Sequence, residues 1–350
     1  MKRICSYLKV LLLLVPGFVL SSCTRTVEYV FHQPPSEETY LTGYPFGNTG
    51  PYLEKMMQSV KRVTSTAYYT TYLFDPADQL TPASLTDPDS PEVLSYSRYS
   101  SNQTSAGTAV VIYSSAQRVG LLTANHVISK PDTVYQFADA DADAEILESV
   151  TIRQRQVNWL IDTAFLGSFE VLAADESADL AIIGARIDQV AIDGSVRSQF
   201  PVFPYPFGEP QELTPGAFTY AFGYPRGYPM VTTGVVSNPN RGEYHAFITD
   251  ALFNPGFSGG AVVAIRDNVP DFEWVGMARS ASASSEWLIV PDEDIAMQQI
   301  PHHPYRDDIY VRERSRIDYG ITHIVPATRI KRFLLEYEEL LAGKRYRIRL

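Results

Sequence analysis

"NPGFSGGAVV", residues 254–263, sets Ser258 among glycines immediately ahead of an apolar run. A tight turn alone needs one glycine. Several are needed where the backbone around a hydroxyl must face another molecule and neighbouring strands must pass close by. A serine hydroxyl is a weak nucleophile by itself. It needs a base to take its proton, a group to orient that base, and donors for the developing oxyanion. The chain offers a candidate for each part. His126 lies in "LLTANHVIS", at the end of a β-type run, and Asp179 lies in "ESADLAIIG", at the start of another. Asp175 is the competing carboxylate four residues earlier. The backbone N–H groups of Gly256 and Ser258, with Phe257 between them, are the candidate oxyanion donors.

The segments around these residues read as strands. "GTAVVIYS", "VGLLTANHV", "TVYQFA", "ILESVTIRQRQV", "AFLGSFEVLA" and "DLAIIGARI" run in series, split by turn residues. After the Pro-rich stretch 201–215 the series resumes with "AFTYAFGYP", "MVTTGVVSN", "EYHAFITD", "GAVVAI", "EWVGMARSA" and "YGITHIVPA". Two sets of about six strands predict an all-β protein of two closed, six-stranded antiparallel β-barrels, since closure removes the sheet edges. The expected domain covers 51–345, with barrel one near 64–190 and barrel two near 215–326. A helix over 328–342 is expected to close it. Its Ile330, Phe333, Leu334, Tyr337 and Leu341 form one apolar stripe. Upstream, 52–63 reads as a short helix and 65–74 as β-rich. Residues 75–105 lack periodicity and read as a long surface loop.

The first residues read as a targeting segment. "MKR" is a basic n-region and "VLLLLVPGFVL" an apolar h-region, ending in Leu20-Ser21-Ser22-Cys23. The expectation is a lipoprotein signal over 1–22, lipidation at Cys23, and a tether over 23–50. Of the two cysteines, Cys5 would leave with the signal and Cys23 would carry lipid. The exported domain would then have no disulfide and must rely on its core. Thr24, rather than an aspartate, follows Cys23 and leans towards the outer membrane. The formal net charge is −11, which argues against a nucleic-acid partner, since such a partner needs a basic face.

"TANHV", "ADLAII" and "DALFNPGFSGGAVV", in that order, resemble the trypsin-like serine proteases, and within them the HtrA/Deg-type bacterial branch. "LTPGAFTYAFGYPRGYPMVTTGVVS" and "YGITHIVPATRIKRFL" extend the resemblance to about 52–342, with insertions at 75–105 and 285–316. It implies a serine endopeptidase acting on protein or peptide substrates without a cofactor. His126 would be the base, Asp179 its orienting carboxylate and Ser258 the nucleophile. It places the floor of the S1 pocket at Leu252 and one wall near Ala278 and Arg279. An apolar floor disfavours a basic P1 side chain, whose charge would be buried unpaired. Phe257 stands where the family usually has a polar residue and is expected to shape the entrance. The resemblance ends at the closing helix, and no PDZ-like domain is expected in the residues up to Leu350.

Two other stretches have bland readings. "DADADAE" (139–145) lacks the glycine and terminal glutamate of an EF-hand loop and reads as solvated. In "PHHPYRDD" (301–308) the adjacent His302 and His303 would point apart on a strand, so no metal site is expected. A binding module that keeps the fold without catalysis, or a latent protease covered by 75–105 or 285–316, is the competing function.

Overall fold

The computed structural model describes residues 39–45, 47–138, 145–161, 163, 165, 167–187, 200–241, 246–291 and 309–348. The signal segment, Cys23, His302, His303 and most of "DADADAE" lie outside the described residues.

The chain opens with helix α1 (Gly50–Met57) and passes directly into the long strand β1 (Val60–Leu73). Six further strands join it: β2 (Ser97–Ser114), β3 (Arg118–Thr123), β4 (Thr133–Phe137), β5 (Leu147–Ile161), β6 (Glu170–Asp175) and β7 (Leu180–Arg186). They form one antiparallel sheet in the order β4-β5-β1-β2-β3-β7-β6. This sheet is not the closed barrel that the strand pattern predicts. Its ends, β4 and β6, do not pair; among the described residues β5 meets the segment leading into β6 at the bridge Asn158–Phe169, where the Asn158 amide donates to the Phe169 carbonyl and the Ser168 hydroxyl to the Asn158 carbonyl. Strand content is visible in a hydrophobic pattern, but closure depends on register and twist, which that pattern does not encode.

The second unit does close. Strands β8 (Phe218–Gly223), β9 (Met230–Arg241), β10 (Ala246–Thr249), β11 (Ala261–Ile265), β12 (Phe272–Pro291) and β13 (Ile309–Pro326) form a six-stranded barrel. β12 and β13 run on past the barrel as a ribbon, paired out to Pro291 and Ile309. The described parts of the insertion near 285–316, residues 285–291 and 309–316, are therefore strand.

Residues 97–105, expected as loop, are strand too. They pair with β1 from Ser97 opposite Leu73 to Ser105 opposite Ser65. Their side chains are almost all exposed, so no alternation marks them. The segment between β1 and β2 holds helix α2 (Ser90–Leu94) and packs on a small core of Phe74, Leu147 and Val150 with Leu80 and Leu85.

The tether expected up to residue 50 is shorter than it looked. Leu41 donates its N–H to the Ile265 carbonyl at 2.9 Å and accepts one from Phe218 at 2.8 Å. Tyr40 is buried, its hydroxyl donating to Glu273 Oε2 at 2.5 Å. Burial, that carboxylate contact first among its polar contacts, pushes the Tyr40 phenol well above its ordinary value. The Pro-rich stretch inserts Phe200 and Phe203 into the main core, and Phe207 stacks on Trp274.

The C-terminal apolar stripe is divided between two helices, α4 (Ala327–Glu336) and α5 (Glu338–Gly343), broken at Tyr337. The one-turn helix α3 (Asn125–Ile128) follows β3 and leads to β4. Ile330, Phe333, Leu334 and Leu341 are buried as the spacing predicts. Burying each such side chain contributes about 1.5–3 kcal/mol.

Candidate active site

The turn α3 carries His126, and Asp179 directly precedes β7. The two strands that bring them, β3 and β7, are hydrogen-bonded neighbours, with Thr123 opposite Ala181. The Asp179 carboxylate is buried and faces three groups. Oδ1 accepts the His126 backbone N–H at 3.0 Å, the imidazole Nδ1 stands 2.8 Å from Oδ2, and the Arg279 Nε lies 3.4 Å from Oδ2. An acceptor-only carboxylate beside Nδ1 favours the proton on that nitrogen, so in the neutral ring the lone pair is on Nε2. Asp179 itself sits at φ +56°, in the left-handed region that aspartate tolerates better than most residues.

Asp175, the competing carboxylate, is engaged elsewhere. Burial would raise its pKa. The Ala178 N–H, the Ser177 hydroxyl and the Arg329 guanidinium at 3.0 Å outweigh burial and hold the carboxyl below its ordinary value. It ties α4 to the loop ahead of β7, and the structure brings Asp179, not Asp175, to His126.

Ser258 reaches the same seam from the closed barrel. Its carbonyl accepts the N–H of Thr108, at the start of the buried part of β2, at 2.8 Å. A Cβ placed on Gly107 would lie 2.6 Å from Val127 Cγ2 and 2.9 Å from the Ser258 carbonyl oxygen. The residue after His126 and the main chain of Ser258 therefore converge on one point of β2. The Ser258 hydroxyl donates to the Arg279 carbonyl at 2.9 Å, and no hydrogen bond joins it to His126.

The glycines have separate reasons. Gly256 has φ +112°, and a Cβ there would stand 2.4 Å from the Tyr224 carbonyl oxygen. Gly259 has φ +91°, and its Cβ would stand 1.9 Å from the Thr108 carbonyl oxygen. The Pro255 carbonyl accepts the Arg226 N–H at 3.1 Å, which turns the Gly256 N–H of the same trans peptide to the opposite side. Among the described residues, neither the Gly256 nor the Ser258 N–H donates to a backbone carbonyl.

Three expectations are corrected. Phe257 does not shape an entrance: it is 1% exposed, stacks on Phe253 at 4.9 Å, and donates its N–H to the Asn254 carbonyl at 3.2 Å. It packs the barrel and contributes no oxyanion donor. Leu252 is 54% exposed and forms no buried floor. Arg279 turns its guanidinium to Asp179 rather than into a pocket, while Ala278 is buried and exchanges hydrogen bonds with Gly259 and Gly260. Thr108 was not singled out from the sequence. Its hydroxyl donates to the Gly256 carbonyl at 2.6 Å and accepts the Tyr224 N–H at 3.0 Å, pinning the serine turn to the first sheet. The one signal was its place at the junction of a polar and an apolar run.

Residues 107–276 match the family model described as "Trypsin-like peptidase domain", a span that contains His126, Asp179 and Ser258. The chain is similar to "Serine protease Do-like HtrA" of Lactobacillus helveticus, 27% identical over 191 residues. That match covers 52% of this chain and 38% of the relative, so the chain spans well under half the length of the curated relative it matches. Among solved structures it is similar to "the serine endoprotease from Yersinia pestis", with 16% identity and a TM-score of 0.39, covering 86% of this chain and 69% of that one. Deg5 is 18% identical with a TM-score of 0.34, covering 66% of this chain and 83% of that one.

Proposed function

We propose that this protein is a serine endopeptidase of the bacterial cell envelope, held to the membrane by lipid on Cys23 and acting on proteins or peptides. The reading is carried by one observation. The Asp179 carboxylate accepts the His126 backbone N–H and stands against its Nδ1, on the same seam as a serine whose turn has two N–H groups not engaged by main chain, which supports His126 as the base.

In the proposed reaction the Ser258 hydroxyl leaves the Arg279 carbonyl and attacks a peptide carbonyl carbon. His126 Nε2 takes its proton, and Asp179 stabilises the resulting imidazolium. The Gly256 and Ser258 N–H groups receive the oxyanion, each worth about 3–4 kcal/mol to the transition state. The proton then passes to the leaving amine. Water, activated by the same imidazole, attacks the acyl ester and returns Ser258.

The Ser258–Arg279 hydrogen bond favours a second reading, a latent or non-catalytic form that awaits substrate or a partner. Incubation of the chain from residue 24 with casein and a peptide library decides between them. Cleavage that is lost in Ser258→Ala supports the endopeptidase. No cleavage under any condition refutes the activity.

A further inference from the structure

The open side of the first sheet holds a cavity of about 600 Å³ bounded by α3, β5 and β6. Its composition is unlike a gap left by poor packing. Asn125, the residue before His126, lines it, is 7% exposed, and has no side-chain hydrogen bond among the described residues. Its amide atoms are not among the fully buried polar atoms left without a partner, so they reach the open space of the cavity, where a ligand can meet them. Lys130 lines the same space half-buried and has no acidic partner among the described residues. Burial alone lowers its ammonium below the ordinary lysine value, as expected for an uncompensated charge. Arg153 also lines the cavity, with its charge met by Asp132. Ile128, Phe169 and Val171 supply an apolar wall, and Glu170 adds one carboxylate at the β6 side.

We propose that this cavity binds a peptide-sized monocarboxylate, such as the free C-terminus of a short peptide. The Lys130 ammonium takes the carboxylate and the Asn125 amide takes one of its oxygens or the adjoining peptide group. The apolar wall takes the last side chain. The volume is far larger than a lone inorganic anion needs, and the Glu170 charge works against a dianion. Occupancy would be felt at His126. The Asn125 N–H donates to the Asp179 carbonyl at 3.2 Å and its carbonyl accepts the Ser129 N–H at 2.7 Å. Gln156 and Arg153, both in the lining, hold the Ile128 and Lys130 carbonyls at 2.5 and 2.7 Å. That coupling rests on the reading of His126 as the base; the binding does not.

The test is calorimetry on the chain carrying Ser258→Ala, which cannot turn over a peptide, so its outcome is separate from that of the protease reading. N-acetyl-Ala-Val with a free carboxylate is expected to bind. Its C-terminal amide should bind about tenfold more weakly, the loss of a charge-assisted contact. Lys130→Met, at a half-exposed site that should fold normally, is expected to weaken the carboxylate by about tenfold, and Asn125→Ala to weaken it as well. No heat from the free carboxylate at millimolar concentration overturns the proposal. So does equal binding by acid and amide, affinity unchanged in Lys130→Met, or inorganic phosphate binding as tightly as the peptide.

Discussion

Replacing Asp179 by asparagine tests the geometry of the site at its most constrained residue. Two donors of His126, the backbone N–H and Nδ1–H, point at the same carboxylate, at 3.0 and 2.8 Å. An amide offers one oxygen in place of two. If that oxygen stays on the backbone N–H, the amide nitrogen faces Nδ1 and forces it to accept. The ring proton then moves to Nε2, and the base is lost. A wrong tautomer with the geometry otherwise intact lowers kcat by about 10⁴ in serine proteases. The assay is kcat/KM on a fluorogenic peptide, with folding followed by thermal melting. The matching control is Asp175→Asn. It breaks contacts to Ala178, Ser177 and Arg329 and should cost about 1–3 kcal/mol of stability, yet leave kcat/KM within about threefold below its Tm. The reverse pattern, an active Asp179→Asn and a folded but inactive Asp175→Asn, would refute the assignment.

Gly256→Ala puts a Cβ 2.4 Å from the Tyr224 carbonyl oxygen at φ +112° and should displace the Gly256 N–H, lowering kcat by about 10²–10³ with KM little changed, read by steady-state kinetics. Gly259→Ala meets the Thr108 carbonyl at 1.9 Å and should fail to fold or lose more than about 3 kcal/mol in denaturant titration, because backbone cannot give way as a side-chain tip does. Arg279→Ala should lower kcat more than it raises KM, with partial rescue by Arg279→Lys, if its side chain helps hold Asp179. The Asp175 carboxyl is held below its ordinary value of 3.8, so its stabilising effect is present above roughly pH 4 and fades as pH falls through the folded value. Melting curves between pH 5 and about 2.5 should show a smaller acid loss in Asp175→Asn than in the parent chain.

Much of this molecule is legible from its residues, and the gaps have physical causes. His126, Asp179 and Ser258 stand beside apolar runs that become buried strands, so pattern and chemistry mark the same places. Whether the first sheet closes is not legible, because β-type runs reveal strands and not which strand ends meet. Residues 97–105 were missed because they are polar on both faces, their order coming from backbone pairing with β1. Phe257 looked like a surface residue in a catalytic turn, but its ring fits against Phe253 inside the barrel, a choice made by packing. Arg279 and Thr108 act across long sequence separations, on Asp179 and Gly256, and a single sequence does not show such pairings.

The most direct test of the central claim is intact-mass analysis of the chain from residue 24 after treatment with a fluorophosphonate. The account predicts a single adduct, mapped by peptide sequencing to Ser258 and abolished in Ser258→Ala and His126→Ala. A chain that stays unlabelled while fully folded, or one labelled at a serine other than Ser258, would contradict it.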